Sequence, residues 1–96
     1  MKKLLIIIAI FISTFVYSQG VAINTDGTNP DASAILDVKS TEYGVLIPRV
    51  SIPNLSNAAP ITSPATSLMV YNTNTTTGVG YHYWDATKWV KLFSSI

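Results

Sequence analysis

The sequence predicts an all-β fold: a small meander of short antiparallel strands with long loops rich in Pro, Asn and Thr, preceded by a helical signal peptide. Three observations lead to this prediction. Strand-like runs at 68–71, 81–84 and 88–93 are joined by the connections at 72–80 and 85–87. Pro53, Pro60 and Pro64 deny residues 51–67 a long helix or an unbroken strand. The apolar run that opens the chain has the character of an export signal.

The first eighteen residues have the pattern of a cleavable signal peptide. Lys2 and Lys3 precede an apolar run at 4–12, and a membrane-spanning helix needs about twenty such residues. The alternative is an uncleaved anchor, but no basic residues follow the run to hold it in place. We expect cleavage between Ser18 and Gln19, export to the periplasm, the cell surface or the medium, and a mature chain without membrane attachment.

Composition bounds what the mature chain can be. Removing eighteen of the 96 residues leaves 78 (96 − 18), with four Lys and Arg against five Asp and Glu, so the formal charge moves from +1 to −1 (4 − 5). The four basic residues are scattered, which disfavours a nucleic-acid partner. A chain of this size usually needs disulfides, a metal or association, and it has no cysteine and a single histidine. We therefore expect a homo-oligomer or docking onto a larger surface assembly.

Three segments follow from the pattern: the signal peptide at 1–18, a turn-rich segment at 19–33 and a small β-rich module at 34–96. Within the module, the runs at 34–38 and 44–50 could pair as a hairpin. Pro48 cannot donate a ladder hydrogen bond, so the second run belongs at a sheet edge or outside a regular sheet. Residues 54–59 form at most one helical turn, and Asp85 fits the first position of a tight turn.

Five of the seven mature aromatic residues lie between Tyr81 and Phe93, in the predicted last hairpin. Period-two alternation places Tyr81 and Tyr83 on one face, with His82 and Trp84 on the other. In the next strand Trp89, Lys91 and Phe93 share a face, opposite Val90 and Leu92. Both faces are thus partly apolar, which favours packing on the chain's own core and on a second copy. The alternative is a carbohydrate platform formed by Tyr81, Tyr83, Trp84 and Trp89.

No motif predicts catalysis, a cofactor or a metal site. His82 is the only histidine of the sequence, and histidine is the residue type most often used as a general acid or base, but no nucleophile motif accompanies it and an ordinary strand histidine explains it better. A calcium site is a possibility, because oxygen ligands occur at Asn24, Asp26, Asn29 and Asp31. Their spacing does not fit the EF-hand pattern, however, and turn formation explains these residues equally well. The glycines at 78 and 80 lack the third glycine of a dinucleotide-binding loop.

Four segments together resemble a known module: NPDASAILDV at 29–38, GVLIPRV at 44–50, SPATSLMVYNT at 63–73 and YWDATKWV at 83–90. They are similar to the N-terminal module of secreted Bacteroidetes proteins related to phage tail fibres and trimeric surface fibres. In that family the module usually precedes a stalk, sometimes with a self-cleaving chaperone domain at its end. We expect this chain to be a short stand-alone form.

The resemblance implies a non-enzymatic, trimeric, β-rich head or connector at the cell surface. Ala86 stands where the family's tight turn often has glycine. Arg49 is among the most motif-like positions, and its role is either pairing with a carboxylate such as Asp37 across chains or simple solvation. The predicted contact residues, for an interface or a glycan, are Arg49, Tyr81, Tyr83, Trp84 and Trp89. The alternative function is a carbohydrate-binding adhesin.

Overall fold

The computed structural model describes residues 20–92, so the predicted signal peptide at 1–18 and Phe93 lie outside the described residues. Over this range the chain forms six short strands in two sheets and no helix, which confirms the all-β prediction. The described range therefore contains no helix that is long and apolar enough to cross a membrane. The chain divides into two units, one ending at Gly44 and one beginning at Val45.

The N-terminal unit contains a two-stranded parallel sheet of β1 (Val21–Ile23) and β2 (Leu36–Val38). A parallel pair needs a crossover of about a dozen residues, and the connection at 24–35 meets that length. Its turns are held by short polar side chains. Asn24 Oδ1 accepts a hydrogen bond from Gly27 N (2.9 Å), and Asp31 Oδ1 accepts one from Ser33 N (2.9 Å). These bonds confirm the predicted turn chemistry.

The C-terminal unit contains a four-stranded sheet in the order β3 (Arg49–Val50), β4 (Met69–Asn72), β5 (Gly80–Trp84) and β6 (Trp89–Lys91). The last three strands are antiparallel neighbours, so the predicted meander is confirmed. The short β3 pairs in parallel with β4 at the sheet edge, which is where Pro48 was expected to confine it.

The predicted hairpin between residues 34–38 and 44–50 is wrong. The first run pairs with β1 and the second with β4, each in parallel. The long connections at 24–35 and 51–68 permit these crossovers, which local pattern does not reveal. Strand β4 supplies the hydrogen-bond partner of the Pro48 carbonyl, since Tyr71 N donates to Pro48 O at 2.9 Å.

The core of this unit lies between one face of the sheet and the proline-rich segment that follows β3. Trp84 and Trp89 meet edge to face, with ring centroids 5.2 Å apart and an interplanar angle of 64°. Trp89 N donates to Leu55 O at 2.7 Å and its indole Nε1 donates to Ala58 O at 3.2 Å. Residues 54–59 form hydrogen-bonded turns rather than a helix, such as Asn57 N to Asn54 O at 3.1 Å. The core residues are Ile52, Val70, Trp84 and Trp89, with Val50, Leu55, Ala58 and Ile61 packed against them.

Candidate interaction surface

The two faces of the four-stranded sheet differ sharply in burial. Along β5, His82 and Trp84 are buried, whereas Tyr81 is 39% exposed and Tyr83 is half-buried. The strand register extends this alternation across the sheet, because paired residues point to the same side. We call the uncovered side the open face. It consists of Arg49, Met69, Tyr71, Tyr81, Tyr83 and Val90.

One end of the open face is a cavity of about 360 Å³ that is lined by Leu46, Ile47, Arg49, Tyr71 and Tyr81. The rings of Tyr71 and Tyr81 pack edge to face, with centroids 5.0 Å apart. Arg49 donates from Nη1 to Ile47 O at 3.2 Å. Within residues 20–92 its guanidinium forms no ion pair, so the side chain can meet a carboxylate from outside. The predicted cross-chain pair with Asp37 stays a prediction.

The structure brings together three of the five predicted contact residues and separates the other two. Arg49, Tyr81 and Tyr83 share the open face. Trp84 (9% exposed) and Trp89 (2% exposed) lie on the covered face, within the core. The indoles therefore stabilise the fold, and they offer no exposed ring to a partner or a sugar. Met69 and Tyr71 were missed, although alternation along β4 places both on one face; in the structure they lie opposite Tyr83 and Tyr81.

The covered face also buries His82 completely. Its Nδ1 lies 2.9 Å from Gly80 O, and its Nε2 has no hydrogen-bond partner among the residues that the structure describes. With no exposed surface, the imidazole cannot reach a substrate in solution. This matches the interpretation of His82 as an ordinary strand histidine.

Asn72 was not predicted to have any role, yet its side chain fastens two loops to the sheet. It is fully buried, and its Oδ1 accepts hydrogen bonds from Ile52 N (2.9 Å) and Asn74 N (3.1 Å). Its Nδ2 donates to Thr77 Oγ1 (3.0 Å) and to Gly78 O (2.8 Å). All four hydrogen-bonding positions of the amide are thus used. In the sequence Asn72 looks like the first residue of a polar loop.

Three aspartates, the exposed Asp26 and Asp31 and the half-buried Asp85, have lowered pKa values because each accepts hydrogen bonds. The ammonium of Lys39, 2.8 Å from Asp26 Oδ2, is the largest cause that holds the pKa of Asp26 well below its usual range. The hydroxyl of Ser33 lowers the pKa of Asp31. The backbone N–H of Thr87, followed by that of Lys88, lowers the pKa of Asp85. No group of three or more acidic or histidine side chains in the described part of the chain could hold a metal ion.

These features define a small all-β module whose larger sheet is covered on one face and bare on the other. The family model of the phage tail like trimerisation region matches residues 22–96. The chain therefore belongs to that family, and it is a self-associating, tail-fibre-like structural module. Neither a curated protein nor a solved structure matches the chain significantly.

Proposed function

We propose that this protein is an exported, non-catalytic head or connector of a cell-surface fibre, and that three copies associate through the open face. The observation that carries the proposal is the contrast between the two sides of one sheet. Residues 51–68 of the same chain cover one side, while on the other side Tyr81 and Met69 are exposed and Tyr83 is half-buried. Aromatic residues, Met and Arg are the types enriched at protein interfaces, and the open face has all of them.

The size of the chain supports association as well. Within residues 20–92 the buried apolar core has four residues, and neither disulfides nor a metal cluster among these residues reinforces it. Cores of this size rarely supply more than about 3–5 kcal/mol. Burying the open face against two neighbours would add apolar area that a lone chain leaves in water. Association into a trimer would thus also stabilise the folded state of each chain.

The solution mass of two matched variants tests this interface. In Tyr81→Glu a charge would enter the open face at each copy, and we expect the trimer to dissociate at concentrations where the unchanged protein stays assembled. The control is Val79→Glu, because Val79 is as exposed (41%) but lies in the turn before β5. Light scattering across a dilution series gives the mass, and tryptophan emission shows whether the core remains intact. A Tyr81→Glu protein that dissociates no more readily than the control would contradict the open face as interface.

Export is a separate part of the proposal and has a separate test. The full chain, expressed in a bacterial host, should be recovered outside the cytoplasm with Gln19 as its first residue. Mass spectrometry of the intact protein reads the cleavage site directly. Recovery of the uncleaved chain in the membrane fraction would favour the anchor alternative. The finer resemblance, to Bacteroidetes fibre modules that precede a stalk and a chaperone domain, stays a prediction.

The adhesin alternative has one observation in its favour, the open cavity that Tyr71 and Tyr81 flank beside Arg49. A sugar ring could stack on either tyrosine there. Because Trp84 and Trp89 are buried, such binding would shift tyrosine resonances in an NMR titration and leave the indole resonances in place. A panel of neutral and acidic monosaccharides that moves neither tyrosine would remove this alternative.

A further inference from the structure

The N-terminal unit has an apolar surface of its own. In the register of its parallel sheet, Val21 lies opposite Leu36 and Ile23 lies opposite Val38, so the four side chains share one side. All four are exposed, between 42% and 57%. We call this surface the parallel-sheet face. Its four residues are all apolar, and contiguous exposed apolar patches often mark interaction sites.

The connection at 24–35 covers the other side of this sheet. Ala22 and Asp37 point there and are half-buried. Asp37 Oδ2 accepts a hydrogen bond from Asp31 N at 2.9 Å, which ties the connection to that side. The approach is close, because a Cβ on Gly20 would stand 3.0 Å from Ala34 O. The N-terminal unit thus buries its small and polar side and leaves its large apolar side bare.

Such a sheet is incomplete as it stands. Parallel sheets occur almost only with both faces covered, and two strands alone are marginal in water. The register is nevertheless fixed within the chain. Lys39 N donates to Ile23 O at 2.9 Å, and the Lys39–Asp26 ion pair (2.8 Å) joins the segments that follow the two strands. The face is therefore preorganised for an occupant.

We propose that the occupant is the same face of the two other copies, so that three parallel sheets pack around the threefold axis of the trimer. This inference rests on the proposed trimeric function. The match to the family's trimerisation region begins at residue 22, within β1, and so includes this sheet apart from Val21 as well as the larger sheet. Three copies would bring twelve apolar side chains (3 × 4) into two layers, one of Val21 with Leu36 and one of Ile23 with Val38.

Cysteine cross-linking of the mature trimer tests this arrangement, because the chain has no cysteine of its own. Leu36→Cys places a thiol on the parallel-sheet face, and Thr41→Cys places one at an exposed position after β2. A short bismaleimide should join the Leu36→Cys chains as dimers on a denaturing gel and leave Thr41→Cys monomeric. Since one cross-link uses two of three thiols around an axis, one chain in three should stay unlinked.

The outcomes separate this inference from the proposed function. A trimeric Leu36→Cys protein that reacts freely with a monofunctional maleimide and does not cross-link would overturn the inference while the trimer stands. A monomeric mass for the unchanged protein would overturn the proposed function and this inference with it. Val21→Cys, in the same layer, repeats the test if Leu36→Cys does not fold. Cross-linking of every chain, with none left unlinked, would indicate a twofold arrangement and would contradict the inference.

Discussion

Replacing Asn72 by alanine removes a fully buried amide side chain. The amide makes four hydrogen bonds, to Ile52, Asn74, Thr77 and Gly78. These bonds fasten the end of β4 to the segment after β3 and to the loop before β5. Because Ile52 is fully buried, water cannot take the place of the lost acceptor at its backbone N–H.

The expected loss follows from the separate bonds. An unsatisfied buried N–H costs about 1–3 kcal/mol, and each of the three half-buried bonds contributes about 0.5–1 kcal/mol net. Their sum for Asn72→Ala is about 2.5–6 kcal/mol, which is comparable to the roughly 3–5 kcal/mol that a core of this size supplies. We therefore expect the variant to be largely unfolded as a monomer. The control is Asn57→Ala, which removes one exposed bond of 3.3 Å from Ala59 N and should cost about 0.5 kcal/mol.

Urea unfolding at a fixed chain concentration measures both effects, with emission from the buried indoles as the reporter. Asn72→Asp adds a second check, because it keeps the acceptor and removes the donors to Thr77 Oγ1 and Gly78 O. A buried carboxylate is disfavoured, so this variant should recover stability relative to the unchanged protein as the pH falls and the introduced carboxyl gains a proton. An Asn72→Ala protein within about 1 kcal/mol of the unchanged one would refute the reasoning.

Three further predictions concern the last hairpin. Ala86 is exposed and has a φ of +91°, which strains a residue with a Cβ, so Ala86→Gly should raise the free energy of unfolding by about 0.5–1 kcal/mol in the same urea assay. A less stable variant would contradict the inference that the backbone is strained at Ala86. Trp89→Ala should cost about 3–5 kcal/mol and abolish the near-ultraviolet signal of the paired indoles; a cooperative, native-like transition would argue against this core. The pKa of Asp85 is lower in the folded protein than in the unfolded chain, where it is about 4. The contribution of Asp85 to stability is therefore fully present above about pH 4 and is lost as the pH falls through the folded pKa. Asp85→Asn keeps the acceptor, and its melting temperature should fall less than that of the unchanged protein between about pH 4 and pH 2; equal falls would exclude this carboxyl as a source of acid sensitivity.

The antiparallel meander could be predicted from sequence because its determinants are local. Strand runs alternate with short connections, and the Asp85 side chain accepts from Thr87 N and Lys88 N at 2.8 Å, as its turn position indicated. The φ of Ala86 is positive, a conformation that glycine adopts without steric cost. Alternation along β5 also separated Tyr81 from His82 correctly.

The parallel pairings could not be predicted, because they join segments more than a dozen residues apart and the intervening turns do not encode a partner. The same limit applies to burial. Both faces of the aromatic hairpin looked partly apolar, and only the packing of the 51–68 segment decides that Trp84 and Trp89 are covered while Tyr81 is not. Asn72 was missed for a related reason, since its structural role depends on a hydrogen bond from Ile52 N, twenty positions away in the sequence.

The solution mass of the mature chain, measured by light scattering over a concentration series together with a far-ultraviolet spectrum, tests the central claim most directly. We expect a folded trimer that persists on dilution, in which the open face is buried. A chain that is folded and monomeric at every concentration would contradict self-association as the function of this module. It would leave the cavity beside Tyr71 and Tyr81 as the main candidate site.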